Sequence, residues 1–204
     1  MMFYLIRRIL LFLFIIFISV GCDADRDNNE IVDYNTELAR GWQEYKSGNY
    51  KSAVLAFEKA LGDNAPADIA SDSYNGLGWA YMNISQNVNV NMTNLNIAIT
   101  KFRISIEKDG NNYDAMIGLA TALLIRQGSE NDYKEALKMI DMAINADSTY
   151  LYRHNYKSKT DLYALKAQCH YYLGEFDNAR LELDRVLSSD SDNKTALSMK
   201  KILF

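Results

Sequence analysis

A chain of 204 residues with 49% apolar content is long enough for one domain and too apolar to stay unfolded. One proline, ten glycines and almost no period-two alternation argue against a mainly β architecture and for helices throughout. The formal charge of −4 becomes −6 once Arg7 and Arg8 are removed with residues 1–21, which leaves no basic footprint for DNA or RNA.

The first eight residues end in Arg7 and Arg8, and Ile9–Ile18 is an unbroken apolar run. Ser19, Val20 and Gly21 then supply small residues before Cys22, completing the parts of a secretory signal over residues 1–21. Ile9–Val20 is too short for a span, which needs about 20 apolar residues. Ser19-Val20-Gly21-Cys22 resembles the lipobox of bacterial lipoproteins, although Ser19 stands where that family usually has leucine. The resemblance implies cleavage before Cys22, diacylglycerol on its sulfur and a membrane anchor in the cell envelope. The alternative is an uncleaved anchor with an incidental cysteine. Asp23 resembles a signal that retains some lipoproteins in the inner membrane, a rule that varies between bacteria, so the choice of inner or outer membrane stays open. Residues 22–33 then read as lipid site and polar tether. Asp23, Asp25 and Asp27 imitate the start of a calcium loop, but Asn28 replaces its glycine and Tyr34 its closing glutamate, so no metal is expected there.

From Gly41 to Leu61 the chain reads as a helix, a turn at Ser47-Gly48-Asn49 and a second helix from Tyr50. Tyr50, Ala53, Val54, Phe57, Ala60 and Leu61 share one face of that second helix. The same spacing returns from Leu95, from Tyr133 and from Phe176, each time with an alanine three residues in: Ala98, Ala136 and Ala179. Upstream of each lies a partner helix, marked by Leu77-Gly78, Leu119-Ala120 and Lys166-Ala167, with Arg40-Gly41 a more polar first member. Asp192–Phe204 reads as a last short helix that covers the open end.

Tyr-Asn-Gly-Leu-Gly-Trp-Ala-Tyr at 74–81 and Leu-Gly-Glu-Phe-Asp-Asn-Ala at 173–179 resemble the tetratricopeptide repeat family over residues 34 to about 191. The resemblance implies an all-α domain over residues 34–204. Its architecture would be a right-handed superhelix of about four helix-turn-helix pairs with a C-terminal capping helix. The alanines stand 45, 38 and 43 residues apart, wider than the family unit of about 34, with the excess in Ile84–Asn94, Ser129–Asp132 and Ser148–Lys159.

Catalytic groups do not converge in the sequence. His154 and His170 lack partners at metal-ligand spacing, and no phosphate loop, Gly-x-Ser-x-Gly or His-Glu-x-x-His occurs. Neither an enzyme nor a cofactor is expected. Cys169 shares the column of Ala80 and Ala122, which favours a small buried residue over a reactive thiol.

The family resemblance puts ligand contacts on the first helix of each pair. Carried over, its columns give a partner-binding groove of Trp42, Tyr45, Asn75, Trp79, Met82, Leu124, Tyr171 and Tyr172, with Leu38, Asn83, Ile117, Thr121, Ile125, Ala164 and Gln168 in the same columns. Trp42, Tyr45, Trp79 and Met82, extended by Leu124, Tyr171 and Tyr172, should form an apolar strip open to a peptide or protein, unless the tether or long loops cover it. The insert Tyr150–Tyr156 is either a second contact site or a loop folded over a neighbouring repeat. The expected function is a membrane-anchored protein-interaction scaffold. The alternative is a structural subunit of an envelope assembly or secretion complex.

Overall fold

A computed structural model describes residues 33–86, 90–146, 156 and 158–203. The expected signal segment 1–21, the lipid site Cys22, residues 23–32 of the tether and positions 150–155 of the aromatic insert lie outside the described residues. The described part is all helical: α1 (Tyr34–Lys46), α2 (Tyr50–Ala60), α3 (Ala67–Ser85), α4 (Met92–Lys108), α5 (Tyr113–Arg126), α6 (Glu130–Asn145), α7 (Lys159–Tyr172), α8 (Phe176–Ser189) and α9 (Lys194–Leu203). None of these helices is long and apolar enough to cross a membrane.

Short polar side chains set the starts. Asp33 accepts from the Asn35 and Thr36 backbone N–H groups at 3.1 and 3.3 Å, Asn91 from Thr93 and Asn94 at 3.0 and 3.2 Å, and Asn112 from Ala115 at 3.0 Å. Asp161 reaches back to the Ser158 N–H at 3.1 Å. The tight turns after α1 and α7 each place a glycine in the left-handed region, Gly48 at φ +78° and Gly174 at φ +75°.

Every helix packs against the next in order, and the odd-numbered ones from α1 to α7 also meet one another in succession. Two clusters make the core. The larger runs from α1 to α7, and the smaller joins Ala164 and Ala167 of α7 to Leu183 and Val186 of α8 and Ala196 of α9. Ala53, Ala98, Ala136 and Ala179 are all fully buried. Four residues beyond Ala53 and Ala98 a phenylalanine wedges between successive odd helices. Phe57 lies against both Gly41 and Gly76, and Phe102 against both Gly78 and Gly118, at positions where any Cβ would collide with the ring. A polar clasp ties α3 to α4: Ser71 Oγ donates to the Ser105 carbonyl at 3.0 Å and Ser105 Oγ to the Ser71 carbonyl at 2.8 Å. Asn112 Nδ2 bridges the two hydroxyls, so this buried corner is hydrogen-bonded throughout.

The extra length expected across Ile84–Asn94 is only partly loop. Helix α3 continues to Ser85 and the Asn91 cap starts α4 at Met92, one turn ahead of its first core residue, Leu95.

Candidate functional site

The odd-helix face carries the residues expected to make a groove, and burial sorts them into two groups. Trp42, Tyr45, Asn75, Trp79, Met82 and Leu124 are buried, with Trp79 and Asn75 at 0% exposure. Tyr171 is half-buried and Tyr172 is 43% exposed. The expectation of a continuous open strip through Trp42, Tyr45, Trp79 and Met82, extended by Leu124, Tyr171 and Tyr172, is therefore corrected for the five that are buried. The indoles turn into the space between helices: Trp42 meets Phe57 edge-on at 4.9 Å and Trp79 meets Phe102 edge-on at 5.6 Å.

Hydrogen bonds fix these buried groups. The Trp42 indole N–H donates to Asp72 Oδ2 at 3.1 Å and Asn75 Nδ2 donates to Asp114 Oδ2 at 2.6 Å. Asn83 Nδ2 serves both the Tyr45 hydroxyl at 3.0 Å and the Trp79 carbonyl at 2.9 Å. Burial pushes the Tyr45 phenol well above its ordinary range. These residues lock α1, α3 and α5 together.

Tyr156 covers part of the same face. Its ring lies 6.4 Å from Trp79 and its hydroxyl is hydrogen-bonded to Thr121 Oγ1. Burial pushes this phenol up to about 12, so it is neutral at physiological pH. At this residue the insert folds over a neighbouring pair.

Two cavities remain open along α7. One of about 140 Å³ is lined by Gln168, Tyr171, Tyr172, Met199 and Ile202. Tyr172 stacks on Tyr133 with ring centres 5.1 Å apart and takes a hydrogen bond from Gln127 Nε2 at 3.2 Å, while Tyr171 meets Phe176 edge-on at 5.9 Å. The second, of about 350 Å³, is polar, with Thr121, Tyr156, Asp161, Gln168, Asn193 and Thr195 on its walls. Gln168 belongs to both. Sequence reasoning reserved α9 for covering the end and missed its share in the site. The signal was Thr195 and Ile202, at helical spacing beside the Ala196–Met199–Leu203 packing face, whose Met199 also reaches the cavity.

Among the described residues no group of three or more His, Cys, Asp or Glu side chains could hold a metal ion. His170 Nδ1 is paired with Glu175 Oε2 at 2.6 Å, which holds the Glu175 carboxyl below its ordinary value and ties α7 to α8. Cys169 is fully buried and burial pushes its thiol up to about 12, the opposite of what a nucleophilic thiolate needs. Comparison with protein-family models and with curated proteins finds no match to this chain.

Proposed function

We propose that this chain is a lipid-anchored interaction scaffold of the bacterial cell envelope, built as a right-handed superhelix of tetratricopeptide-like pairs. It docks a peptide or protein segment on its odd-helix face. The observation that carries the reading is the pairing of an odd-helix layer whose aromatic residues are mostly buried with two open cavities at its α7–α9 end. Recognition surfaces of this kind combine exposed aromatic rings with a few polar groups. Tyr171, Tyr172 and Gln168 supply that combination here. The anchor reading rests on residues 1–22, whose basic start, short apolar run and Ser-Val-Gly-Cys exit suit processing and acylation at Cys22.

Two experiments test this. A photo-crosslinking amino acid at Tyr172 of the full chain in cells should give a discrete adduct that Tyr171→Ala removes. Adducts from Leu55 on α2, which is 65% exposed, with none from position 172, would move the contact to the even helices and favour a structural subunit. For the anchor, Cys22→Ser should abolish lipid labelling and block maturation; a variant still matured and labelled would end the lipoprotein reading.

A further inference from the structure

We infer that α9 is the first helix of a further pair, and that a partner protein completes the pair with an acidic amphipathic helix laid on the Lys194–Leu197–Lys201 face. This contact goes beyond the docking reading above, since none of those three side chains is among the described residues lining either cavity.

The way into α9 repeats an earlier junction. Ahead of α5 the Asn112 N–H donates to the Asp109 carbonyl at 3.0 Å, and the Asn112 side chain accepts from the Ala115 N–H at 3.0 Å. Ahead of α9 the Asn193 N–H donates to the Asp190 carbonyl at 3.2 Å, and the Asn193 side chain accepts from the Ala196 N–H at 3.1 Å. Ala115 and Ala196 are both fully buried. Beyond them the two helices keep register but differ in cover. Met116 is 0% exposed, whereas Leu197, in the same place, is 40% exposed. A helix that only closed the end of a stack would turn a polar face outward. The face of α9 that holds Leu197 does not.

The charges say what kind of helix fits. Lys166 of α7 reaches Asp141 on the helix before it at 2.7 Å and Glu182 on the helix after it at 3.4 Å. Lys200 holds the same place in α9 and repeats the first of these bonds at 3.3 Å with Asp184, which stands where Asp141 does, five residues after the column alanine. The counterpart of the second bond is a carboxylate in the place of Glu182, on a helix that follows α9. Lys201 asks for another. It stands in the column of Gly78 and Ala120, and Gly78 faces the large side chain of the next even helix: a Cβ there would meet the Phe102 ring at 2.5 Å. An exposed lysine in that column leaves no room for such a wedge and favours a carboxylate in its stead. Helix α9 carries three lysines and no aspartate or glutamate, in a chain whose formal charge is −4. An anionic bilayer would draw the same lysines, but the repeated junction favours a helix.

The pattern that fits is Ala-x-x-Glu-Glu-x-x-Val-Leu, which is Ala179–Leu187 of α8 with glutamate in the place of Leu183. The probe is a fluorescein-labelled, acetylated and amidated peptide of about 18 residues that carries this pattern, with a lactam lock on its far side to hold the helix. Variants replace both glutamates by glutamine or by lysine, or place a proline at the centre. Binding to the full chain is read by anisotropy. The glutamate peptide should bind roughly tenfold tighter than the glutamine one, with the gap closing as salt is raised. The lysine peptide should be weakest of the unbroken helices, and the proline peptide should not bind. Lys201→Glu, at an exposed position, should reverse the order of the glutamate and lysine peptides with Tm unchanged, and Leu197→Ser should weaken them all. Equal affinity for glutamate and glutamine peptides, an order that Lys201→Glu leaves as it was, or no binding by any peptide would each overturn the inference. So would a photo-crosslinking residue at position 197 that labels only lipid in cells, which would give this face to the membrane. Crosslinking at position 172 reports on the odd-helix cavities, so the two readings fail separately.

Discussion

Replacing Gly118 by alanine probes the way the pairs are wedged together. A Cβ at Gly118 of α5 would fall well inside van der Waals contact of the Phe102 ring, and a Cβ at Gly78 of α3 would meet the other side of the same ring at 2.5 Å. The ring is fully buried and clamped between two backbones, so it cannot step aside. Overpacking of this kind costs about 1–3 kcal/mol, and the clamp puts this site at the upper end. Alanine returns about 1 kcal/mol of helix propensity relative to glycine. The net is a loss of about 2 kcal/mol, or a Tm lower by about 4–8 °C in a domain of this size. Urea unfolding followed by circular dichroism would measure it. Phe102→Leu should make the second substitution cheaper, so the double variant should lose less than the two single losses added. An unchanged or raised midpoint for Gly118→Ala, or strict additivity in the double variant, would refute the wedge.

The Ala136 contact should behave in the same way, with Ala136→Phe lowering stability by about 1–3 kcal/mol because the site is fully buried; an unchanged Tm would count against it. Alkaline pH should destabilise the domain. Cys169 and Tyr156 have folded pKa values pushed up to about 12 by burial, so their unfolded forms ionise first. The stability they contribute is complete below their unfolded values of about 9 and 10 and drains away as pH rises toward 12. Cys169→Ala should flatten the fall in Tm between pH 8 and 11, and an identical slope would remove the thiol from the account.

Much of the fold was legible because burial demands a period. Ala53, Ala98, Ala136 and Ala179 fix one face of α2, α4, α6 and α8, and the turn residues Gly48 and Gly174 fix the start of α2 and α8. Boundaries were less legible. The Asn91 cap lies a turn ahead of the first core residue of α4, so the periodic face begins later than the helix. The site was legible only in part, since period says which residues share a face but not how wide that face is. Trp42 and Trp79 share a column with potential contact residues, yet their rings are large enough to reach Phe57 and Phe102 and be buried there. A second signal lay nearby: Asp72, Asp114 and Asp161 share one repeat column, two turns before Trp79, Thr121 and Gln168 in α3, α5 and α7. The first two anchor Trp42 and Asn75, which marks those residues as parts of the frame. The Thr121–Tyr156 bond joins positions 35 residues apart, beyond the reach of any local pattern.

Tyr156 changes where a ligand is needed. An apolar strip open to water would call for a partner along its whole length, but here Tyr156 lies against Trp79 and the other indole is covered by its own neighbours. The chain itself meets most of the demand, and what stays open is the end at Tyr171, Tyr172 and α9. Removing the cover should therefore expose Trp79. The chain has two tryptophans, so in a Trp42→Phe background the emission reports on Trp79 alone. Tyr156→Ala in that background should red-shift the emission and raise its quenching by acrylamide. Tyr156→Phe keeps the ring and loses only the hydroxyl bond to Thr121, so quenching should hold while stability falls by about 1 kcal/mol. Equal quenching in the Tyr156→Ala variant and its parent would mean that the indole is shielded by the helices alone, and the ring of Tyr156 would then be packing on a face already closed.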